Sequence, residues 1–153
     1  MTDLPDVNVW LALVDENHVH HERAVAYWCE QSAAEIAFCR VTALAFLRLS
    51  THAKILSYPL SPKEAWDIYQ RYRDEAQVGF ILDSPGVDQA FMEYSLEEGF
   101  IHSLWTDCYL AALASFRNCR VVSFDQDFHR FHKLAFLDIS SRLALEENLS
   151  TTP

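Results

Sequence analysis

Leu4-Pro5-Asp6-Val7-Asn8-Val9-Trp10 decides the fold. A short apolar strand over residues 4–7 carries an aspartate and runs straight into an apolar helix over residues 9–14. Pro5 fits such a strand only where no ladder donor is needed. Working outward, the same strand-then-helix unit recurs. Residues 20–33 place Ala24, Tyr27 and Trp28 at helical spacing. Residues 36–39 read as a second strand, followed by a helix over residues 43–50 that Thr42 caps. Ser61-Pro62 with Glu64 is a capping box that opens a helix reaching about Glu75. Residues 79–82 form a third strand, and Ser84-Pro85-Gly86 opens a helix that Gly99 ends. A strongly apolar helix spans 106–117 and a fourth strand spans 120–124. Residues 136–139 are a candidate fifth strand before an acidic terminal helix. Strands separated by helices imply parallel pairing through crossovers. The expectation is an α/β sandwich, a small central parallel sheet flanked by helices, in one domain over 1–153.

Composition narrows the function classes. Half of the residues are apolar and only three are glycine, which suits a packed, helix-rich domain. No stretch is long enough to span a bilayer, and the N-terminus carries no basic segment followed by a long apolar run. A cytoplasmic location is the expectation. Cys29, Cys39, Cys108 and Cys119 lack paired close spacing and read as reduced thiols. No Gly-rich phosphate loop and no Ser-His-Asp order is present. The net charge is -10, so broad attraction to a nucleic acid backbone is not built in. The balance is uneven: residues 41–80 hold five Lys/Arg against four acids. Arg40, Arg48, Lys54, Arg71 and Arg73 are candidates for a local basic strip, against the plainer reading of solvated helix faces.

The acids carry the chemistry. Asp6 and Asp125 lie at or just past the carboxyl ends of strands, where open parallel sheets bind ligands. Asp107 opens an apolar helix, and Asp127 follows Asp125 by two residues. Taken singly, Asp107 reads equally as a first-turn helix acid or as a ligand, and Asp125 and Asp127 read as turn formers. Asp6 inside an apolar segment is harder to dismiss, because an unpaired buried charge is costly. Converging carboxylates without Lys or Arg beside them would repel, and a hard divalent cation such as Mg²⁺ or Mn²⁺ relieves that repulsion.

Three stretches together resemble the PIN-domain ribonucleases, specifically the VapC toxins of toxin–antitoxin pairs. They are Asp6-Val7-Asn8-Val9-Trp10 with His20-His21-Glu22-Arg23-Ala24, Phe38-Cys39-Arg40-Val41-Thr42 with Phe46-Leu47-Arg48-Leu49, and Thr106-Asp107-Cys108-Tyr109 with Val122-Ser123-Phe124-Asp125-Gln126-Asp127-Phe128. The resemblance implies a PIN-like fold and a Mg²⁺- or Mn²⁺-dependent endoribonuclease that activates water against an RNA phosphate. It also implies a homodimer held in check by a VapB-like antitoxin, with transfer or ribosomal RNA as substrate. By similarity Asp6, Asp107 and Asp125 would be the catalytic metal ligands and Asp127 an accessory acid. Asn8 and Thr106 would orient them, and Arg40 and Arg48 would contact RNA. One departure stands out: many family members carry Glu in the third helix, whereas residues 36–63 here contain no acid and Ala43 or Ala45 takes that place. Two readings follow. Either an active nuclease holds its ion with fewer carboxylates and more waters, or a PIN-fold module binds antitoxin or RNA without cutting.

The remaining motifs have bland readings. His18, His20 and His21 fall at a helix start, where they pack or cap, and His129 and His132 border the loop after Asp127. Trp10 and Trp105 read as core. Trp66, Tyr69 and Tyr72 share a helix and could seat an antitoxin helix.

Overall fold

A computed structural model describes residues 1–141. The elements alternate as read: β1 (Thr2–Pro5), α1 (Val7–Val14), α2 (His21–Ala26), β2 (Glu35–Cys39), α3 (Arg40–Ser50), α4 (Pro62–Asp74), β3 (Val78–Ile81), α5 (Val87–Ser95), α6 (Trp105–Arg117), β4 (Cys119–Ser123) and β5 (Phe136–Asp138). The acidic terminal helix expected from the sequence lies outside the described residues. Among the described residues no helix is long and apolar enough to cross a membrane.

All five strands are parallel, in the order β3-β2-β1-β4-β5. The chain builds outward from β1 through β2 to β3, then returns to the other side of β1 for β4 and β5. That reversal separates the connections leaving β1 and β4, and opens a crevice at their carboxyl ends. Pro5 is tolerated because β1 pairs with β2 only as far as Asp3, while Pro5 itself pairs with Val122 of β4.

Two apolar layers enclose the sheet. On one side Trp10 of α1 stacks on Phe38 of β2 with ring centroids 3.8 Å apart, beside Phe46, Tyr69 and Ala43. On the other, Leu110, Ala111 and Ala114 of α6 pack with Leu4, Val121 and Phe128. The small side chains of α6 let its backbone come close to the sheet.

Several boundaries differ from the sequence reading, each for a local reason. Strand β1 ends before Asp6, because the Asp6 side chain takes the Val7 N–H and starts α1 there. The helix read over residues 20–33 is α2 followed by a π-helical turn, Tyr27–Gln31. Thr42 is not the cap of α3. That helix begins at Arg40, and the Thr42 hydroxyl reaches back to accept the Cys39 N–H at 3.0 Å. Strands β3 and β4 each begin one residue earlier than read, and α5 ends at Ser95, ahead of Gly99. Trp105 is not core: it opens α6 with 51% of its surface exposed.

Candidate active site

Asp6 occupies the N-cap of α1 at the carboxyl end of the central strand. Its backbone N–H still bonds Val122 of β4 (2.9 Å), so the carboxylate is held at the edge of the sheet. One oxygen accepts the Val7 N–H (2.6 Å) and the other accepts the Ser123 hydroxyl (3.0 Å). Only 8% of the residue is exposed. Burial pushes its pKa up to about 6; the bonds from Val7 and Ser123 oppose that rise, and the charge of Asp125 adds to it.

Ser123, the last residue of β4, joins the acids. Its single hydroxyl proton goes to Asp6, and its oxygen accepts from Asn8 Nδ2 (2.9 Å) and from the Asp125 N–H (3.0 Å). Asn8 therefore acts on Asp6 through Ser123. Asp125 in turn caps the short 3₁₀ helix Gln126–Arg130 by accepting the Asp127 N–H at 2.9 Å. Sequence reasoning missed Ser123. The available signal was a lone hydroxyl in an apolar strand that ends at an acid, since a buried hydroxyl needs a partner.

Asp107 enters from the first turn of α6. Burial pushes its pKa up to about 7, and the charges of Asp6, Asp125 and Asp127 push in the same direction. Four acids from three parts of the chain thus share one electrostatic neighbourhood. None has a cation: the ion pairs among the described residues are Lys63–Asp67, Asp3–Arg120, His129–Asp138 and His132–Glu97. An all-oxygen, uncompensated donor set fits a hard divalent cation. It is not a closed cage, for among the described residues no three Asp, Glu, His or Cys side chains are grouped to grip an ion directly. That geometry suits an ion held by one or two carboxylates that keeps much of its water.

The other expected residues are scattered. Thr106 is exposed and makes no hydrogen bond to these acids among the described residues. Arg40 begins α3 at the site end of the sheet, with its guanidinium 5.0 Å from the Phe80 ring centre. Arg48 lies eight residues along α3, about 12 Å further from that end. Arg73 donates to the Gly79 carbonyl. Its guanidinium also lies 5.1 Å from the Phe80 ring centre, so Arg40 and Arg73 meet over one aromatic ring while Arg48 sits further along α3. Ala43 is 1% exposed within the Trp10–Phe38 layer, so apolar packing takes one of the two places where an acid was sought. His21 Nδ1 donates to the Ala12 carbonyl (2.7 Å), and His20 stacks on Phe124 at 4.4 Å. Both pack as expected of a helix start.

Comparison with known proteins converges on one family. The PIN domain family model matches residues 4–134. Ribonuclease VapC41 of Mycobacterium tuberculosis is 33% identical over 135 residues, covering 84% of this chain and 92% of its own. Ribonuclease VapC44 of the same organism is 36% identical over 132 residues, covering 82% and 87%. Among solved structures, VapC20 of M. tuberculosis, described as a sarcin-ricin loop cleaving toxin, superposes with a TM-score of 0.65 at 14% identity, covering 83% of this chain and 92% of its own. VapBC2 from Rickettsia felis, bound to a promoter DNA fragment, gives 0.64 at 15% identity, covering 90% and 98%. At that identity the structures speak for the fold, and the sequence relatives for the family. The chain belongs to the PIN-domain family, among the VapC ribonucleases.

Proposed function

We propose that this protein is an endoribonuclease that uses Mg²⁺ or Mn²⁺ and serves as the toxin of a toxin–antitoxin pair. The observation that carries the reading is the uncompensated set Asp6, Asp107, Asp125 and Asp127 in the crevice where the strand order reverses. Asp6, Asp107 and Asp125 would hold the ion together, one or two of them directly and the rest through its water. When bound, a divalent cation polarises the scissile phosphate and makes water a nucleophile near neutral pH. Ser123 and Asn8 keep the Asp6 carboxylate aimed into the crevice. Asp127, whose N–H fixes Asp125, adds a further negative charge that acts on Asp107 and would favour a bound cation. With pKa values of about 6 and about 7, Asp6 and Asp107 are ready to exchange protons for the cation near neutral pH.

The antitoxin partner fits a groove of ≈ 490 Å³ lined by Leu13, Val14, Trp28, Ile68, Arg71 and Tyr72. An amphipathic helix laid there would bury its apolar face against Trp28 and Tyr72. Of the patch read from sequence, Tyr72 lines this groove, Tyr69 is buried on the inner face of α4, and Trp66 lies outside the groove. A homodimer and a cytoplasmic location complete the proposal.

Incubation of a structured RNA with Mg²⁺ or Mn²⁺ tests the reading. Cleavage that stops in chelator and in Asp107→Asn supports it, and metal-independent cleavage contradicts it. The buried Ala43 favours the second reading, a module that binds without cutting. Metal-dependent cleavage by the unmodified chain dismisses it.

A further inference from the structure

The segment leading into the first turn of α6, which carries Asp107, is exposed and poor in charge. Ile101, His102, Ser103, Trp105 and Thr106 are all exposed around the start of α6, and none of them is acidic or a Lys or Arg. Trp105 dominates this segment. Its ring is half exposed yet anchored by two near-perpendicular contacts, to Phe100 (4.8 Å, 70°) and to Phe91 (5.7 Å, 79°). Among the described residues no ring stacks parallel on Trp105. The aromatic pair on the β4 side of the site differs in this respect: His20 and Phe124 already stack on each other at 18°. Trp66 is comparably exposed but lies on α4, away from the acids.

Trp105 and Asp107 share the first turn of α6, two positions apart. At that spacing their side chains diverge around the helix, so Trp105 flanks the crevice and does not line it. A chain with a net charge of -10 gains little from general attraction to phosphates. Stacking of an unpaired base on an aromatic ring is attractive, tolerates low positive charge and selects single-stranded RNA. A ring already fixed by Phe91 and Phe100 loses little freedom when a base lands on it.

We propose that Trp105 is a stacking platform for an unpaired base next to the scissile phosphate, and so selects loops over paired RNA. The proposal rests on the ribonuclease reading for its substrate. Cleavage kinetics on a short mixed-sequence single-stranded RNA test it. Trp105→Ala should raise KM by about 5- to 100-fold with kcat nearly unchanged, and Trp105→Phe should restore most of the loss. A second measurement needs no cleavage. In Asp107→Asn, the same RNA should quench tryptophan fluorescence, its duplex should quench far less, and adding Trp105→Phe should abolish the quenching while binding persists. An unchanged KM in Trp105→Ala, or quenching that survives without Trp105, overturns the proposal. A Trp105→Ala variant with normal KM but altered self-association would make this segment a protein interface and also overturn it. If the unmodified chain cuts no RNA, the ribonuclease reading fails on its own, and the quenching experiment still decides whether Trp105 receives a base.

Discussion

Asp3 and Asp6 stand three residues apart around the same strand, both buried, with 0% and 8% of their surface exposed. Asp3 is fully compensated. Arg120, its register partner on β4, forks onto both oxygens (2.8 and 2.9 Å), and the Tyr27 hydroxyl and Ala33 N–H complete the shell at 2.9 Å each. The pair holds the Arg120 guanidinium above its ordinary value, chiefly through that hydrogen bonding, while burial, with the Asp3 charge adding, raises the Tyr27 phenol. Among the described residues, Asp6 meets only neutral donors and further acids. One end of the strand spends its carboxylate on structure. The other leaves charge unbalanced, as a protein tolerates where an ion or substrate will balance it.

The largest expected effects come from exchanging the fates of these two residues. Asp6→Asn and Asp107→Asn should each lower RNA cleavage by more than about 100-fold, beyond what loss of a supporting group costs. Asp3→Asn should leave cleavage per folded molecule close to normal but destabilise the fold by about 3 kcal/mol, because Arg120 loses its counter-ion. Urea unfolding and specific activity, measured on the same samples, separate the two outcomes. If Asp3→Asn removes activity from fully folded protein, the division between the two ends is wrong.

Smaller effects sharpen the comparison at Ser123. Ser123→Ala frees Asp6, Asn8 and the Asp125 N–H together, and should lower cleavage or metal affinity by about 10- to 100-fold. Ser123→Thr, which keeps the hydroxyl, should recover most of it. The smallest effects belong to the arginines. Arg40→Ala should weaken RNA binding slightly and flatten its salt dependence by about one unit of slope, whereas Arg48→Ala should do neither. Equal effects from both would extend to Arg48 the basic pair that Arg40 and Arg73 form over Phe80.

The fold was legible because each strand is a short apolar run followed by a capped helix, and parallel pairing follows from that alternation. Boundaries slipped where a side chain outweighed periodicity. Asp6 caps α1 and so shortens β1, and Thr42 closes a capping box from inside α3. Asp6, Asp107 and Asp125 could be singled out because acids at strand and helix edges are conspicuous in apolar surroundings. Ser123 left only the faint signal of a lone hydroxyl in an apolar strand, since its importance comes from three hydrogen bonds across 115 to 117 residues or within the same turn. Trp105 was misread because an aromatic at the start of a strongly apolar helix resembles core, while the helix start leaves it half exposed.

Charge at the Asp6 end is uncompensated among the described residues, and the proposed divalent cation would balance it. Asp6 and Asp107 have folded-state pKa values of about 6 and about 7, above the ordinary 3.8. The folded state therefore holds their protons more tightly than the unfolded chain. Their stabilising contribution is complete below about pH 4 and is lost as pH rises through about 6 and 7. Thermal unfolding near pH 8, with and without Mg²⁺ or Mn²⁺, for the unmodified chain and Asp107→Asn, tests this most directly. In chelator Asp107→Asn should be the more stable protein, by on the order of 2 kcal/mol. The cation should raise the Tm of the unmodified chain and leave that of the variant nearly unmoved. A variant less stable than the unmodified chain in chelator, with no response of either protein to the cation, would contradict the account.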